Sequence, residues 1–131
     1  MSTNSTVAVK TDAGYKSIYV HWDGYFEYMY PMLSTWYSTV ERAKDLVNLG
    51  DASFIDKRLV PSKGSGHSFE TPENGVCIFY HRDRGESWNN VQPITYRTKE
   101  EVLRTQYYVY IYEDFEWHAY KGGVEVDSYE Y

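Results

Sequence analysis

The chain has a single cysteine, Cys77, in 131 residues. No intrachain disulfide is possible, which excludes a disulfide-stapled scaffold. Cys77 lies in the apolar run Val76-Cys77-Ile78-Phe79-Tyr80. With no polar neighbour to activate it, it reads as a small core residue rather than a nucleophile. Long apolar runs are also missing: none approaches the ~18 residues of a membrane-spanning helix. The first six residues, Met-Ser-Thr-Asn-Ser-Thr, carry neither the basic stretch nor the apolar core of a signal peptide. A soluble protein of a reducing cytoplasm is expected, with no membrane partner. An excess of positive charge is lacking too. There are 19 acidic and 13 basic residues, so the formal net charge is −6. Phosphate neutralisation dominates affinity for nucleic acids, so direct nucleic-acid binding is not expected.

What is present is aromatic. There are 15 tyrosines beside 4 Trp and 5 Phe. Hydrophobic residues at 42% and charged residues at 24% fit a globular protein, and the length fits one domain. Charge is distributed unevenly. Residues 1–99 hold 11 acidic and 11 basic residues, whereas residues 100–131 hold 8 acidic and 2 basic ones. The entire excess therefore falls in the last quarter of the chain, where it repels nucleic acid and attracts basic surfaces.

Residues 1–14 are mostly small and polar and read as a flexible leader closed by Gly14, leaving 15–131 as a single domain. Residues 16–22 are β-branched and aromatic, with Ile18, Val20 and Trp22 on one face of a predicted strand. The spacing of Tyr28, Met29, Met32, Leu33 and Trp36 is helical, and Pro31 places the helix start near itself. Ser38-Thr39-Val40-Glu41 fits a capping box for a second helix, ended by Gly50. Residues 51–56 read as a turn or short helical piece, and 57–60 as a short strand. Prolines 61 and 72 and glycines 64, 66 and 75 make 61–75 a long loop. The apolar run 76–80 reads as a buried, central strand followed by a polar loop over 81–86. Thr98 can cap a short helix. Residues 107–112 and 115–120 form a hairpin about Glu113-Asp114, and 124–131 can add a frayed edge strand. The implied class is α+β: a mostly antiparallel sheet, two or three helices on one face, and a C-terminal β-hairpin.

Two stretches carry related chemistry, Val20-His21-Trp22-Asp23-Gly24 and Tyr80-His81-Arg82-Asp83-Arg84-Gly85-Glu86. Each is an apolar segment followed by His-x-Asp and then glycine. His21, Asp23, His81, Asp83 and His67 are plausible metal ligands by type, but no metal-binding spacing supports that use and no cofactor is expected. A histidine oriented by a carboxylate is the acid–base alternative, drawn from His21, Asp23, His81, Asp83 and Glu86. A third use is anion binding, by Arg82 and Arg84 with Lys63 and His67 of the loop Lys63-Gly64-Ser65-Gly66-His67-Ser68. Against all three stands an ion-pair network that pins the loop.

The combined residues resemble a family of small bacteriophage and prophage proteins. The resemblance rests on Tyr19-Val20-His21-Trp22-Asp23-Gly24-Tyr25, on Asn48-Leu49-Gly50-Asp51, on His67-Ser68-Phe69, on Arg82-Asp83-Arg84-Gly85-Glu86, and on the aromatic hairpin. It implies a phage setting, and with it an accessory protein that binds and modulates or inhibits a host protein of the defence or nucleic-acid-processing machinery. The surface expected to do so is acidic and tyrosine-rich: Tyr108, Tyr110, Tyr112, Glu113, Asp114 and Glu116, with Tyr107, Val109 and Ile111 on the core side. The alternative is a nucleotide- or small-anion-binding protein, or a small hydrolase, using the His/Asp/Arg stretches. An exposed edge at 107–112 would also allow a homodimer.

Overall fold

The computed structural model describes residues 2–126. Most of the expected leader is in fact the strand β1 (Ser5–Thr11). Val7, Ala8 and Val9 are wholly buried. β1 pairs antiparallel with β2 (Gly14–Val20), from Ser5 opposite Val20 to Thr11 opposite Gly14. On its other side it pairs in parallel with β6 (Tyr108–Glu113). Small side chains suit a strand covered on both faces, where polar and apolar positions need not alternate. Gly14 opens β2 rather than closing a leader. Its φ is +132°, and a Cβ there would lie 2.2 Å from the Tyr96 carbonyl oxygen.

The other strands are β3 (Ala52–Phe54), β4 (Ile78–Phe79), β5 (Ile94–Tyr96), β7 (Glu116–Lys121) and β8 (Val124–Glu125). Their order is β4-β3-β2-β1-β6-β7-β8, with β5 pairing β2 off this path. The β1–β6 and β2–β3 pairs are parallel and the rest antiparallel. The protein is α+β with a mostly antiparallel sheet. Ala52–Phe54 is a strand rather than a turn or helical piece. Residues 57–60 contribute one isolated bridge, Arg58 to Val76. The run 76–80 supplies a two-residue strand at the end of the sheet, not a central one. It is buried all the same because α3 (Tyr80–Arg84) replaces the expected polar loop and folds back on it. The expected edge strand is present as β8, and residues 127–131 of that stretch lie outside the described residues.

α1 (Phe26–Trp36) and α2 (Val40–Val47) cover one face of the sheet. Met29, Leu33, Leu46 and Val47 pack there with Val7, Val9, Ile18, Val20 and Tyr110. α5 (Lys99–Leu103) covers the other face, where Val102 meets Ala8, Tyr15, Val109, Ile111 and Tyr120. Helices thus flank both faces, and that decides the fate of the tyrosines. α1 starts at Phe26, five residues before Pro31, which sits inside it at an exposed position. The proline removes one helical donor, and the packing of Phe26, Met29 and Leu33 holds the helix through it. The cap of α2 is Thr39, one residue later than the expected box: its hydroxyl accepts from the Arg42 amide. Thr98 and Glu101 form a reciprocal capping box on α5, as its sequence implies. α4 (Trp88–Val91) is a single turn. Among the described residues no helix is long and apolar enough to cross a membrane.

Candidate functional site

The hairpin does not expose a tyrosine face. Tyr110 is fully buried and its hydroxyl donates to the Gly24 carbonyl at 2.8 Å. Tyr112 is 4% exposed and donates to the Ser38 carbonyl at 3.0 Å. Tyr108 is partly buried against the same core, while Tyr107, assigned to the core side, is the exposed one. The physical reason is the second layer: Val109 and Ile111 pack under α5 while Tyr110 and Tyr112 pack under α1 and α2. Burial, with smaller help from the charges of Tyr108 and Glu27, holds the Tyr110 hydroxyl well above the usual phenol range. Gly24 itself passes close to the start of β1, where a Cβ would meet the Ser5 side chain at 2.5 Å. The edge expected at 107–112 does not exist either. β6 is flanked by β1 and β7, and the ends of the sheet are β4 and β8. That removes the route proposed for homodimer pairing.

The turn is Asp114-Phe115, one residue later than expected, with Glu113 opposite Glu116 as the last rung. Both central residues have positive φ, +54° and +66°. Such two-residue turns match the twist of a hairpin but strongly favour Asn, Asp and Gly, not a bulky ring. Phe115 is 85% exposed. Glu113 is turned inward: one oxygen accepts from Lys99 Nζ at 3.0 Å, and the other is buried without a hydrogen-bond partner. Asp114 and Glu116 stand exposed, and among the described residues neither pairs with a cation.

The two His-x-Asp stretches do approach each other, but through their neighbours. Trp22 stacks on Phe69 with centroids 6.0 Å apart. The Arg84 guanidinium lies 4.2 Å from the centre of Phe69 and 4.6 Å from that of Tyr80, and it bonds the Ser53 hydroxyl. His21 is held by the Tyr19 hydroxyl at 2.8 Å, and His81 bonds the Glu86 carbonyl and sits edge-on to Trp88. Asp23 holds a left-handed turn at φ +57°.

The remaining candidates form a buried clamp. The Asp83 carboxylate accepts from the Phe79 amide at 2.8 Å and from both Nε and Nη2 of Arg82. Arg82 also donates to the Leu59 and Cys77 carbonyls. The His67 side chain is 1% exposed, with Nε2 3.1 Å from the Cys77 carbonyl and 3.4 Å from Asp83. The Glu73 amide donates to His67 Nδ1, which fixes the proton on Nε2. Of the four groups expected to hold an anion, His67 and Arg82 are committed to Asp83 and the backbone, and Arg84 lies between two rings. Lys63 and Arg84 are exposed, but Arg84 is held against the rings. Among the described residues no group of three His, Cys, Asp or Glu is placed to hold a metal ion, so the five candidate ligands do not converge. Cys77 is a buried thiol that takes the Asp56 amide and the Tyr37 hydroxyl as partners, and burial raises its pKa.

No family model, curated protein or solved structure matches the chain. Among the residues expected to meet a partner, Asp114 and Glu116 stand unused by the fold, and between them lies Phe115, the most exposed large hydrophobic side chain of the described residues. Sequence reasoning found the two acids and missed the phenylalanine. The available signal was a phenylalanine beside an aspartate at a turn, where glycine is the ordinary choice.

Proposed function

We propose that the protein is a small accessory protein of bacteriophage or prophage type that binds and modulates or inhibits a host protein in the host cytoplasm. It docks through the acidic tip of its C-terminal hairpin, with Phe115 as the anchor. One observation carries this reading: Phe115 is 85% exposed while held in a left-handed conformation. A left-handed backbone costs an L-residue about 1–2 kcal/mol, and an exposed ring recovers none of it by burial. Strain without reward in the free protein fits a residue kept for a partner. An aromatic anchor rimmed by carboxylates suits a basic groove with an apolar pocket, the kind of surface found on nucleic-acid-processing and defence proteins.

The nucleotide, anion and hydrolase readings draw less support, because His67, Arg82 and Asp83 satisfy one another. The test is capture from host lysate by the wild type, by Phe115→Gly and by the Asp114→Lys/Glu116→Lys pair. The wild type should retain a protein that both variants lose, and added salt should weaken the complex. Capture that survives both variants, with their amide spectra unchanged, would remove the tip as the interface.

A further inference from the structure

A separate cleft lies where β2 changes partners. β5 pairs with Tyr15, Lys16 and Ser17, whereas β3 pairs with Val20. Between these two contacts the outer edge of β2 has no neighbouring strand. The Tyr19 amide there is taken by a side chain instead, Asp51 Oδ1, at 2.9 Å. The gap opens into a cavity of about 350 Å³ lined by Thr6, Ser17, Tyr19, Asp51, Tyr96 and Gln106, among others. That volume is at the small end of the range for sites of small organic ligands.

Asp51 is the unusual member. Its backbone is fixed on both sides, the amide bonding the Val91 carbonyl and the carbonyl accepting from the Tyr80 amide. Its second oxygen, Oδ2, accepts no hydrogen bond among the described residues, and none of the ion pairs there involves it. A partly buried carboxylate without a counter-charge is costly, and here burial pushes its pKa up. Asparagine would make the same bond to the Tyr19 amide through its side-chain oxygen and carry no charge. The structural role therefore does not need the negative charge that the residue keeps.

From the lone carboxylate in this walled cleft we infer a binding site for a small organic cation with N–H donors, a guanidinium or primary ammonium head. Asp51 supplies the counter-charge. Tyr19 and Tyr96 wall the cleft, and Gln106 lines it as a polar side chain for the rest of the ligand, while the Ser17 hydroxyl is already spent on the Ile94 carbonyl. This site is independent of the hairpin tip, and neither reading depends on the other.

The experiment is a titration of the ¹⁵N-labelled protein with agmatine, methylguanidinium, N-acetyl-argininamide and tetramethylammonium. Agmatine and methylguanidinium should give saturable shifts centred on the amides of Tyr19, Asp51 and Gln106. Tetramethylammonium, which has charge but no N–H, should not. Asp51→Asn should keep the amide pattern of the fold and weaken agmatine by at least about tenfold. Shifts scattered over the acidic surface, or an Asp51→Asn protein that binds as well as wild type, would overturn the site. Binding of N-acetyl-argininamide alone would overturn the free small cation in favour of a partner's arginine. If Asp51→Asn does not fold, the wild-type shift map and the tetramethylammonium control still decide.

Discussion

The clamp around Asp83 and the tip of the C-terminal hairpin each crowd charge and aromatic rings into a short stretch, and they use them in opposite ways. In the clamp, the charged groups meet their own chain: Asp83 takes Arg82, His67 and an amide, and Arg84 lies against two rings. At the tip, Phe115, Asp114 and Glu116 meet solvent, and the backbone beneath them is strained. Residue types associated with sites thus prove little until it is known what already satisfies them. Histidines and arginines beside an aspartate suggested chemistry, yet here they hold a long loop to the end of the sheet. A plain phenylalanine suggested nothing, yet it is the large apolar side chain that the described residues expose most.

The largest break in this contrast should come from Asp83→Ala. The variant leaves the Phe79 amide and one side of Arg82 buried without their acceptor, so a loss of about 3–5 kcal/mol is expected from denaturant unfolding. A loss near zero would mean the clamp is ornamental and its residues are free for another role. At the base of the hairpin, Tyr110→Phe removes a buried hydroxyl and strands the Gly24 carbonyl. Its expected cost is about 1–3 kcal/mol, again by unfolding. A solvent-facing tyrosine would show no such cost. Phe115→Gly at the tip should move the other way and stabilise the fold by about 1 kcal/mol, because glycine adopts the left-handed turn without strain.

The sequence made the hairpin, the two main helices, the Thr98 cap and the long loop legible, because each rests on local chemistry. The class followed from their order. What it hid depends on distant partners. β1 is central only because β6, about a hundred residues later, pairs beside it. Period two in the hairpin correctly groups Tyr108, Tyr110 and Tyr112 on one side. It cannot say which side is wet when helices cover both, and that choice was wrong. α3 spans five residues, too few for periodicity to separate it from a polar loop. The Asp51 cleft left no trace in the sequence, since it exists only where β3 and β5 diverge along β2.

The smallest effect expected tests how the loop is held at its outer end. Glu73 accepts from the Ser62 hydroxyl and amide and from Arg58, at 2.6–2.8 Å. These bonds, the two from Ser62 foremost, hold its carboxyl at about 2, below the ordinary 4.5. Because the folded value is depressed, the contribution is present in full above the ordinary carboxylate range and fades as the pH falls towards about 2. The Ser62 amide resonance should therefore titrate with a midpoint near the lower value. Glu73→Gln should abolish the Ser62 titration without unfolding the protein. A Ser62 midpoint at the ordinary glutamate value would show that the outer bonds are not formed in solution. The loop would then hang from the His67–Asp83 clamp and from Phe69 against Trp22 and Arg84, and the contrast with the hairpin tip would narrow to that inner end.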